Sequence, residues 1–242
     1  MKTLSIVIPA YNEEAFIATL LDRILTIPTE PVGFEKEIIV VDDGSRDDTA
    51  ARARAFAGVT VISQANQGKG RAVQTGIRAA TGDYILVQDA DLEYDPADYL
   101  PMLAQLDHQR PTAVYGSRIR GQLREHGWRW PCPGRHPAQG LGPWGMNLTL
   151  SLLCLLLYGR WLTDLLTAYK IYPTALIRGF EVLTHGFETD HELTAKLIRA
   201  GAVIREVPIA YRPRSLAEGK KIRPRDGLIA LWTLVRFRIG SL

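Results

Sequence analysis

The first 90 residues alternate between short apolar runs and longer segments with helical periodicity. The apolar runs have the length and composition of buried strands, and they lie at residues 4–8, 37–41, 59–62 and 84–87. Helical spacing is clearest where Phe16, Ile17, Leu20, Leu21, Ile24 and Leu25 recur. The pattern predicts a β-α-β-α-β-α-β arrangement, which is typical of an α/β fold with a mostly parallel sheet covered by helices on both faces.

Polar residues predict where the first helices begin. Asn12 is the predicted N-cap of the first helix and Ser45 that of the second, each followed by the acidic residues that a helix N-terminus favours. Residues 66–70 are expected to open a third helix that reaches Ala80.

Ligands of such sheets bind outside the carboxyl ends of the strands. Four segments should meet there, at residues 9–13, 42–45, 68–70 and 89–91. Together they bring acids, small residues and one lysine to a single edge, as a nucleotide site requires. Taken singly, residues 42–44 are explained as well by a turn, and residues 68–70 lack the full spacing of a P-loop.

Two carboxylates, Asp89 and Asp91, follow the predicted strand at 84–87. They repel each other unless a positive charge lies between them, and their hard oxygen ligands suit Mg²⁺ or Mn²⁺. An isolated pair of this kind is more often an acidic turn with a capping aspartate. The other three segments at the same edge favour the metal interpretation.

Composition and charge narrow the class of protein. The 242 residues suffice for one α/β domain or two small ones, and 46% hydrophobic with 23% charged residues indicates a globular chain. Net charge is only +3, but residues 212–225 hold six cations against one acid, which indicates an anionic partner. Cys132 and Cys154 form neither a metal spacing nor a disulfide framework, which fits a reducing cytoplasm.

The second half contains less regular patterns. A strand at 113–118 is expected to end in a site-facing Arg118, and residues 121–145 are dense in Gly, Pro, Trp, Arg and His without periodicity, which predicts a functional loop. His126 and His136 in it lack the spacing of metal ligands. The loop's tryptophans are explained either by packing or by a membrane interface.

Two apolar segments follow. Residues 147–158 form a predicted apolar helix, and the apolar stretch 146–158 is too short to cross a bilayer. Residues 226–238 form a predicted amphipathic helix, which is expected both to dock on the core and to contact lipid.

Four segments, in this order, resemble the family 2 glycosyltransferases with the GT-A (Rossmann-like) fold: residues 5–14 (SIVIPAYNEE), 41–47 (VDDGSRD), 66–70 (NQGKG) and 82–91 (GDYILVQDAD). The resemblance implies that the nucleoside is held by Pro9, Tyr11, Glu13 and Asp43. It implies that Asp89 and Asp91 hold a metal on the diphosphate, with Glu93 as a further contact. Lys69 either joins the donor site or faces solvent.

Further segments resemble the dolichyl-phosphate mannosyltransferase and polyprenyl-phosphate hexose transferase branch: residues 164–170 (DLLTAYK), 186–193 (GFETDHEL), 211–214 (YRPR) and 218–222 (EGKKI). The chain departs from that branch at Thr189 and His191, where apolar or aromatic residues are usual. Amphipathic, membrane-facing helices are expected in the C-terminal half.

The resemblance implies a metal-dependent, inverting transfer of mannose or glucose from GDP-mannose or UDP-glucose to a polyprenyl or dolichyl phosphate. The residues expected to be catalytic are Asp89, Asp91, Asp190 and Arg118, and Asp190 would act as a base or position the acceptor. The residues expected to bind acceptor or phosphate are Arg118, Asn147, Arg212, Arg214, Lys220 and Lys221. The enzyme is expected in the cytoplasm, peripheral on the inner face of a membrane.

Residues 1–211 are expected to form the catalytic domain, with 121–160 as acceptor loop and apolar helix. Residues 212–242, the basic loop and amphipathic helix, should belong to the same domain. Two alternatives stay open: a family 2 transferase with a soluble, protein or glycan acceptor, and a nucleotide- or nucleic-acid-binding module. Nucleic acid is not an expected partner, because the basic cluster lacks interleaved aromatic residues.

Overall fold

The computed structural model describes residues 1–107, 109–213 and 224–240. Within these ranges seven strands form one sheet in the order β3-β2-β1-β4-β6-β5-β7. They are β1 (Lys2–Ala10), β2 (Phe34–Asp42), β3 (Val59–Ser63), β4 (Tyr84–Val87), β5 (Thr112–Ser117), β6 (Lys170–Pro173) and β7 (Val203–Pro208). Only the pairings of β6 are antiparallel, so the predicted mostly parallel sheet is confirmed.

Helices cover both faces of the sheet. Those in the described residues are α1 (Ile17–Thr26), α2 (Thr49–Arg54), α3 (Lys69–Ala79), α4 (Tyr99–Leu103), α5 (Arg118–His126), α6 (Leu141–Tyr158), α7 (Thr174–Arg178), α8 (Thr189–Arg199) and α9 (Pro224–Ile239). Side chains of α1 and α4 pack into the core on one face, and those of α3, α6, α8 and α9 into the core on the other. Successive β1 residues alternate between the two cores, Ile6 to the first and Val7 to the second.

The register of the central strands brings their polar ends together. Ala10 of β1 pairs with Asp42 of β2, and Val7 pairs with Val87 of β4. The residues that follow these strands therefore lie side by side along one edge. Burial of each aliphatic side chain in the strands stabilises the fold by about 1.5–3 kcal/mol, so the strands that carry this edge are firmly held in the core.

The predicted first helix starts are wrong. Asn12 adopts a φ of 54° and caps no helix, and α1 begins only at Ile17. The backbone N–H of Asn12 donates to Ser45 Oγ, and Asn12 Oδ1 accepts a hydrogen bond from the Arg46 N–H. The side chains of Asn12 and Ser45 therefore do not cap the two predicted helices. They connect the residue that follows β1 to the residues that follow β2.

The region predicted as a loop over 121–145 also differs. Ser117 Oγ accepts from the Arg120 N–H and caps α5, which occupies the first residues of that region. Helix α6 starts at Leu141 because Pro143 falls in its first turn, where a missing N–H costs nothing. With 18 residues α6 is long and apolar enough to cross a membrane by length and composition alone. The expectation that this segment is too short is therefore wrong.

Candidate active site

A cavity of about 430 Å³ opens at the carboxyl edge of the sheet. Its wall contains every residue predicted to bind donor or metal, together with the remaining two of the four predicted catalytic residues, Arg118 and Asp190: Pro9, Tyr11, Glu13, Asp43, Lys69, Asp89, Asp91, Glu93, Arg118 and Asp190. The sheet topology brings these side chains together from segments far apart in the sequence. Their individual roles stay predictions.

Asp43 organises the loop that leads into α3. Its buried carboxylate accepts hydrogen bonds from Gln64 Nε2 at 2.7 Å and from the backbone N–H groups of Gln67 and Gly68 at 3.0 and 2.8 Å. Gly68 has a φ of 94°, a conformation that favours glycine. Asp43 thereby fixes the position of Lys69, the next residue along.

Lys69 points into the cavity and not into bulk solvent. Its Nζ lies 2.6 Å from Asp89 Oδ1, and the two side chains are 18% and 19% exposed. Burial alone would lower the pKa of the Lys69 ammonium, but Asp89, followed by Asp190, raises it above its usual value. Without a ligand, a lysine therefore supplies the positive charge that the two aspartates require.

The donor set fits a divalent ion that is shared with a ligand. Asp91 Oδ1 accepts from the Glu93 N–H at 3.2 Å, and Glu93 Oε2 accepts from the Tyr211 hydroxyl at 2.8 Å. Among the described residues, no three His, Cys, Asp or Glu side chains converge as a preformed metal cage. Mg²⁺ is ordinarily held by one or two carboxylates plus phosphate oxygens, and Asp89 with Asp91 matches that smaller requirement.

Arg118 is held in place by Asp164, a partner that no sequence pattern indicates. Its Nε and Nη2 donate to the two carboxylate oxygens of Asp164, both at 2.7 Å, and its backbone N–H adds a third bond. The guanidinium also stacks on the Tyr211 ring, 4.9 Å from the ring centre. Asp164 lies in the quoted 164–170 segment, but sequence alone gave no sign of this pairing over 46 positions.

Asp190 lies in the first turn of α8 and faces the same cavity. Burial raises the pKa of its carboxyl group, while Lys170 and Lys69 oppose that rise. Lys170 is fully buried, with Nζ 3.5 Å from the Asp190 carbonyl oxygen. The first turn of α8 therefore lies next to the buried ammonium group of Lys170, on the side of the helix that faces the sheet.

Glycine at position 70 brings α8 close to the donor loop. A Cβ atom on Gly70 would overlap the hydroxyl of Thr189 and the backbone of His185. The starts of α3 and α8 therefore touch, and Lys69 and Asp190, which lie at these starts, both line the cavity.

Some predicted acceptor residues lie elsewhere. Asn147 is buried, donates to the Thr163 carbonyl at 2.7 Å and accepts from two backbone N–H groups, so it supports the segment that carries Asp164 and does not line the cavity. Arg212 is exposed and also absent from the cavity wall. Arg214, Lys220 and Lys221 lie outside the described residues.

Other residues complete the cavity wall without having been predicted. They are mainly apolar or aromatic, and they include Tyr94, Leu165, Leu166, Phe187, His191 and Tyr211. All but Tyr94 fall in segments that resemble the polyprenyl-phosphate branch, but apolar and aromatic side chains normally indicate core, so no individual role was predicted for them.

Comparison with known proteins agrees with this architecture. The family model described as glycosyl transferase family 2 matches residues 5–147, more than half of the chain. A protein of Pseudomonas fluorescens named undecaprenyl-phosphate 4-deoxy-4-formamido-L-arabinose transferase is 32% identical over 204 residues, which cover 77% of this chain and 58% of that protein. A protein of the same name from Pseudomonas savastanoi pv. phaseolicola is 36% identical over 138 residues, 54% of this chain and 40% of that protein. The chain thus spans about half the length of these relatives.

Solved structures share the fold. Glucosyl-3-phosphoglycerate synthase from Mycobacterium tuberculosis, crystallised with Mn²⁺, UDP and phosphoglyceric acid, has a TM-score of 0.69 at 22% identity. The match covers 99% of this chain and 80% of that one. The same enzyme with UDP alone gives a TM-score of 0.67.

Proposed function

This chain belongs to glycosyl transferase family 2, and on that premise we propose that it transfers a hexose from a nucleotide diphosphate sugar to a polyprenyl phosphate with inversion. One observation carries the proposal. The predicted donor residues and Asp190 line a single cavity, and its wall also includes Asp226 and Gly227 of α9, a helix with exposed apolar residues. The names of the undecaprenyl-phosphate transferases support a lipid phosphate as acceptor.

The residues predicted to bind the donor supply the groups that a metal ion and a diphosphate require. Asp89 and Asp91 would hold Mg²⁺ or Mn²⁺, which would offset the charge that develops on the departing diphosphate. Lys69, which pairs with Asp89 in this structure, would be displaced by the ion or lie beside it, and would then pair with a phosphate oxygen of the donor. The cation and the lysine together would position the donor for attack on its anomeric carbon.

The acceptor oxygen forms its bond to the anomeric carbon as the bond to the diphosphate breaks on the opposite face. A phosphate oxygen is already anionic at neutral pH, so it needs little help from a general base. Asp190 therefore positions the acceptor, and Arg118, oriented by Asp164, binds the acceptor phosphate with the planar geometry that arginine offers.

The apolar surface beside the cavity fits a membrane. On α6, Leu152, Leu155 and Leu156 are 47%, 41% and 80% exposed, and on α9 Leu228 and Trp232 are 65% and 64% exposed. The two helices pack together, with the Tyr158 hydroxyl donating to the Leu234 carbonyl. We place this surface against the inner face of a membrane, where a lipid phosphate can reach the cavity.

The test is direct. The protein is incubated with labelled UDP-glucose or GDP-mannose, polyprenyl phosphate and Mn²⁺, and the lipid is extracted into organic solvent. Label in the lipid is expected with one donor, and none with any donor would reject the proposal. Asp91→Asn should abolish the transfer by weakening metal binding, whereas the matched change Asp22→Asn on the exposed side of α1 should not.

Asp190→Asn separates this reaction from transfer to a hydroxyl. A hydroxyl acceptor must lose its proton, and losing a general base ordinarily costs about 10²–10⁴ in rate. With a phosphate acceptor, a loss of less than about tenfold in kcat is expected. A larger loss in the variant would favour a hydroxyl acceptor, provided that the pH profile of kcat for the wild type follows the ionisation of Asp190.

A further inference from the structure

His191 is a buried histidine for which the described part of the chain supplies no hydrogen-bond partner. It lies in the first turn of α8, is only 5% exposed, and forms part of the cavity wall beside Asp190. Neither ring nitrogen makes a hydrogen bond within the described part of the chain, although the Phe187 carbonyl is near enough to act on its pKa. An unsatisfied buried polar group destabilises the folded state, so a native protein retains one only with a reason.

The neighbouring Glu192 shows what a structural polar residue looks like in the same helix. It is fully buried, accepts hydrogen bonds from the backbone N–H groups of Leu183 and Thr184, and pairs with Lys196 at 2.9 Å. Every oxygen of that carboxylate is satisfied by the fold. His191, one residue earlier, receives no such support, so the packing of α8 does not explain it.

The position of His191 in the cavity indicates its ligand. The predicted nucleoside residues, among them Tyr11 and Asp43, lie at the ends of β1 and β2, and Asp89 follows β4. A nucleotide sugar whose nucleoside lies at Tyr11 and Asp43, and whose diphosphate lies at Asp89, carries its hexose onward to Asp190 and His191. Burial, assisted by Lys170, lowers the pKa of His191 to about 3, so its ring is neutral and offers one donor and one acceptor.

We propose that His191 is a specificity-determining residue that hydrogen-bonds a hydroxyl, or an equivalent polar substituent, of the transferred sugar. This inference rests on the proposed function, because it takes the cavity to hold a nucleotide sugar. A neutral imidazole and a hydroxyl are matched partners, since each can donate and accept. Both ring nitrogens are closed to water in this structure, so the proposed hydrogen bond requires the imidazole to turn toward the cavity.

The experiment separates the sugar from the nucleotide. Calorimetry with Mn²⁺ compares UDP with UDP-glucose and GDP with GDP-mannose for the wild type, His191→Leu and His191→Gln. The matched control is Tyr172→Phe, which removes another buried polar atom that has no hydrogen-bond partner among the described residues and lies outside the cavity wall. Thermal unfolding without ligand is recorded for all four proteins.

His191→Leu should bind the nucleotide sugar about tenfold more weakly and the nucleotide diphosphate unchanged, as expected for one lost hydrogen bond. His191→Gln should recover part of the loss, and Tyr172→Phe should match the wild type. The Tm of ligand-free His191→Leu should equal or exceed that of the wild type, because the unsatisfied group is gone.

Two outcomes would overturn the inference while the proposed function stands. In one, His191→Leu keeps the full difference between sugar nucleotide and nucleotide. In the other, it loses affinity for both equally and its Tm falls, as a structural residue would. If the wild type binds neither nucleotide sugar, the proposed function fails and the inference fails with it.

Discussion

Removing the Lys69 ammonium should tighten Mn²⁺ binding when no nucleotide is present. Lys69 Nζ lies 2.6 Å from Asp89 Oδ1, in the position of a counter-ion to the two aspartates. Asp190 and Asp91 attract it as well. A metal ion that approaches Asp89 must therefore displace this positive charge or bind beside it, and Lys69→Met removes that competition.

The size of the effect follows from the charges involved. A divalent ion and an ammonium group about 4 Å apart repel by roughly 2 kcal/mol at the dielectric constant of water, and by more in a partly buried site. About 2 kcal/mol corresponds to roughly 30-fold in Kd. With a nucleotide diphosphate bound the sign should reverse, because Lys69 then binds a phosphate oxygen and its loss costs about 1.5–3 kcal/mol.

Electron paramagnetic resonance of free Mn²⁺ measures this directly, with and without UDP or GDP. Lys69→Arg keeps the positive charge and serves as the matched control, so it should follow the wild type. If Lys69→Met binds Mn²⁺ no more tightly than the wild type in the absence of nucleotide, then Lys69 does not occupy the metal position and the reasoning fails.

Gly70→Ala should weaken nucleotide-sugar binding measured by calorimetry, because the added Cβ would overlap Thr189 and displace α8; unchanged affinity would contradict this contact. Burial raises the pKa of the Cys154 thiol to about 11, so in the folded protein at pH 8 iodoacetamide should modify the more accessible Cys132 first, and equal labelling by mass spectrometry would refute this. Burial raises the pKa of Asp98 from 3.8 to about 6, so its contribution to stability is complete below pH 3.8 and lost as pH rises through 6. Asp98→Asn should reduce the fall in unfolding free energy over that window by about 1–2 kcal/mol in urea titrations, since solvent screens a partly exposed carboxylate, and an unchanged pH dependence would contradict it.

The parts of the fold that rest on local pattern were predictable. β4 has the bounds expected from its apolar run, because a strand buried on both faces must be apolar at nearly every position. Once the strands are known, the parallel topology alone brings Asp43 and Asp89 to the same edge. The short β6 was missed, since four residues that begin with a lysine carry no strand signal, and only the neighbouring strands β4 and β5 define it.

Contacts between distant segments were not predictable from the residues. The pairing of Arg118 with Asp164 and that of Lys69 with Asp89 depend on how loops and helices pack, and no periodicity records them. Asn147 illustrates the same limit in the opposite direction. It was expected among the acceptor-binding residues, but its amide satisfies backbone groups of the adjacent segment.

The charges of the cavity explain why donor and metal should enter together. Asp89 is balanced by Lys69, Asp164 by Arg118, and the buried Lys170 lies beside Asp190. A nucleotide diphosphate sugar alone would bring negative charge next to Asp89 and Asp91, and a divalent ion alone would meet Lys69. When both arrive, the ion offsets the charges of the diphosphate and the released Lys69 gains a phosphate partner, so the balance is preserved. Each ligand should therefore raise the affinity for the other, by equal factors as thermodynamic linkage requires.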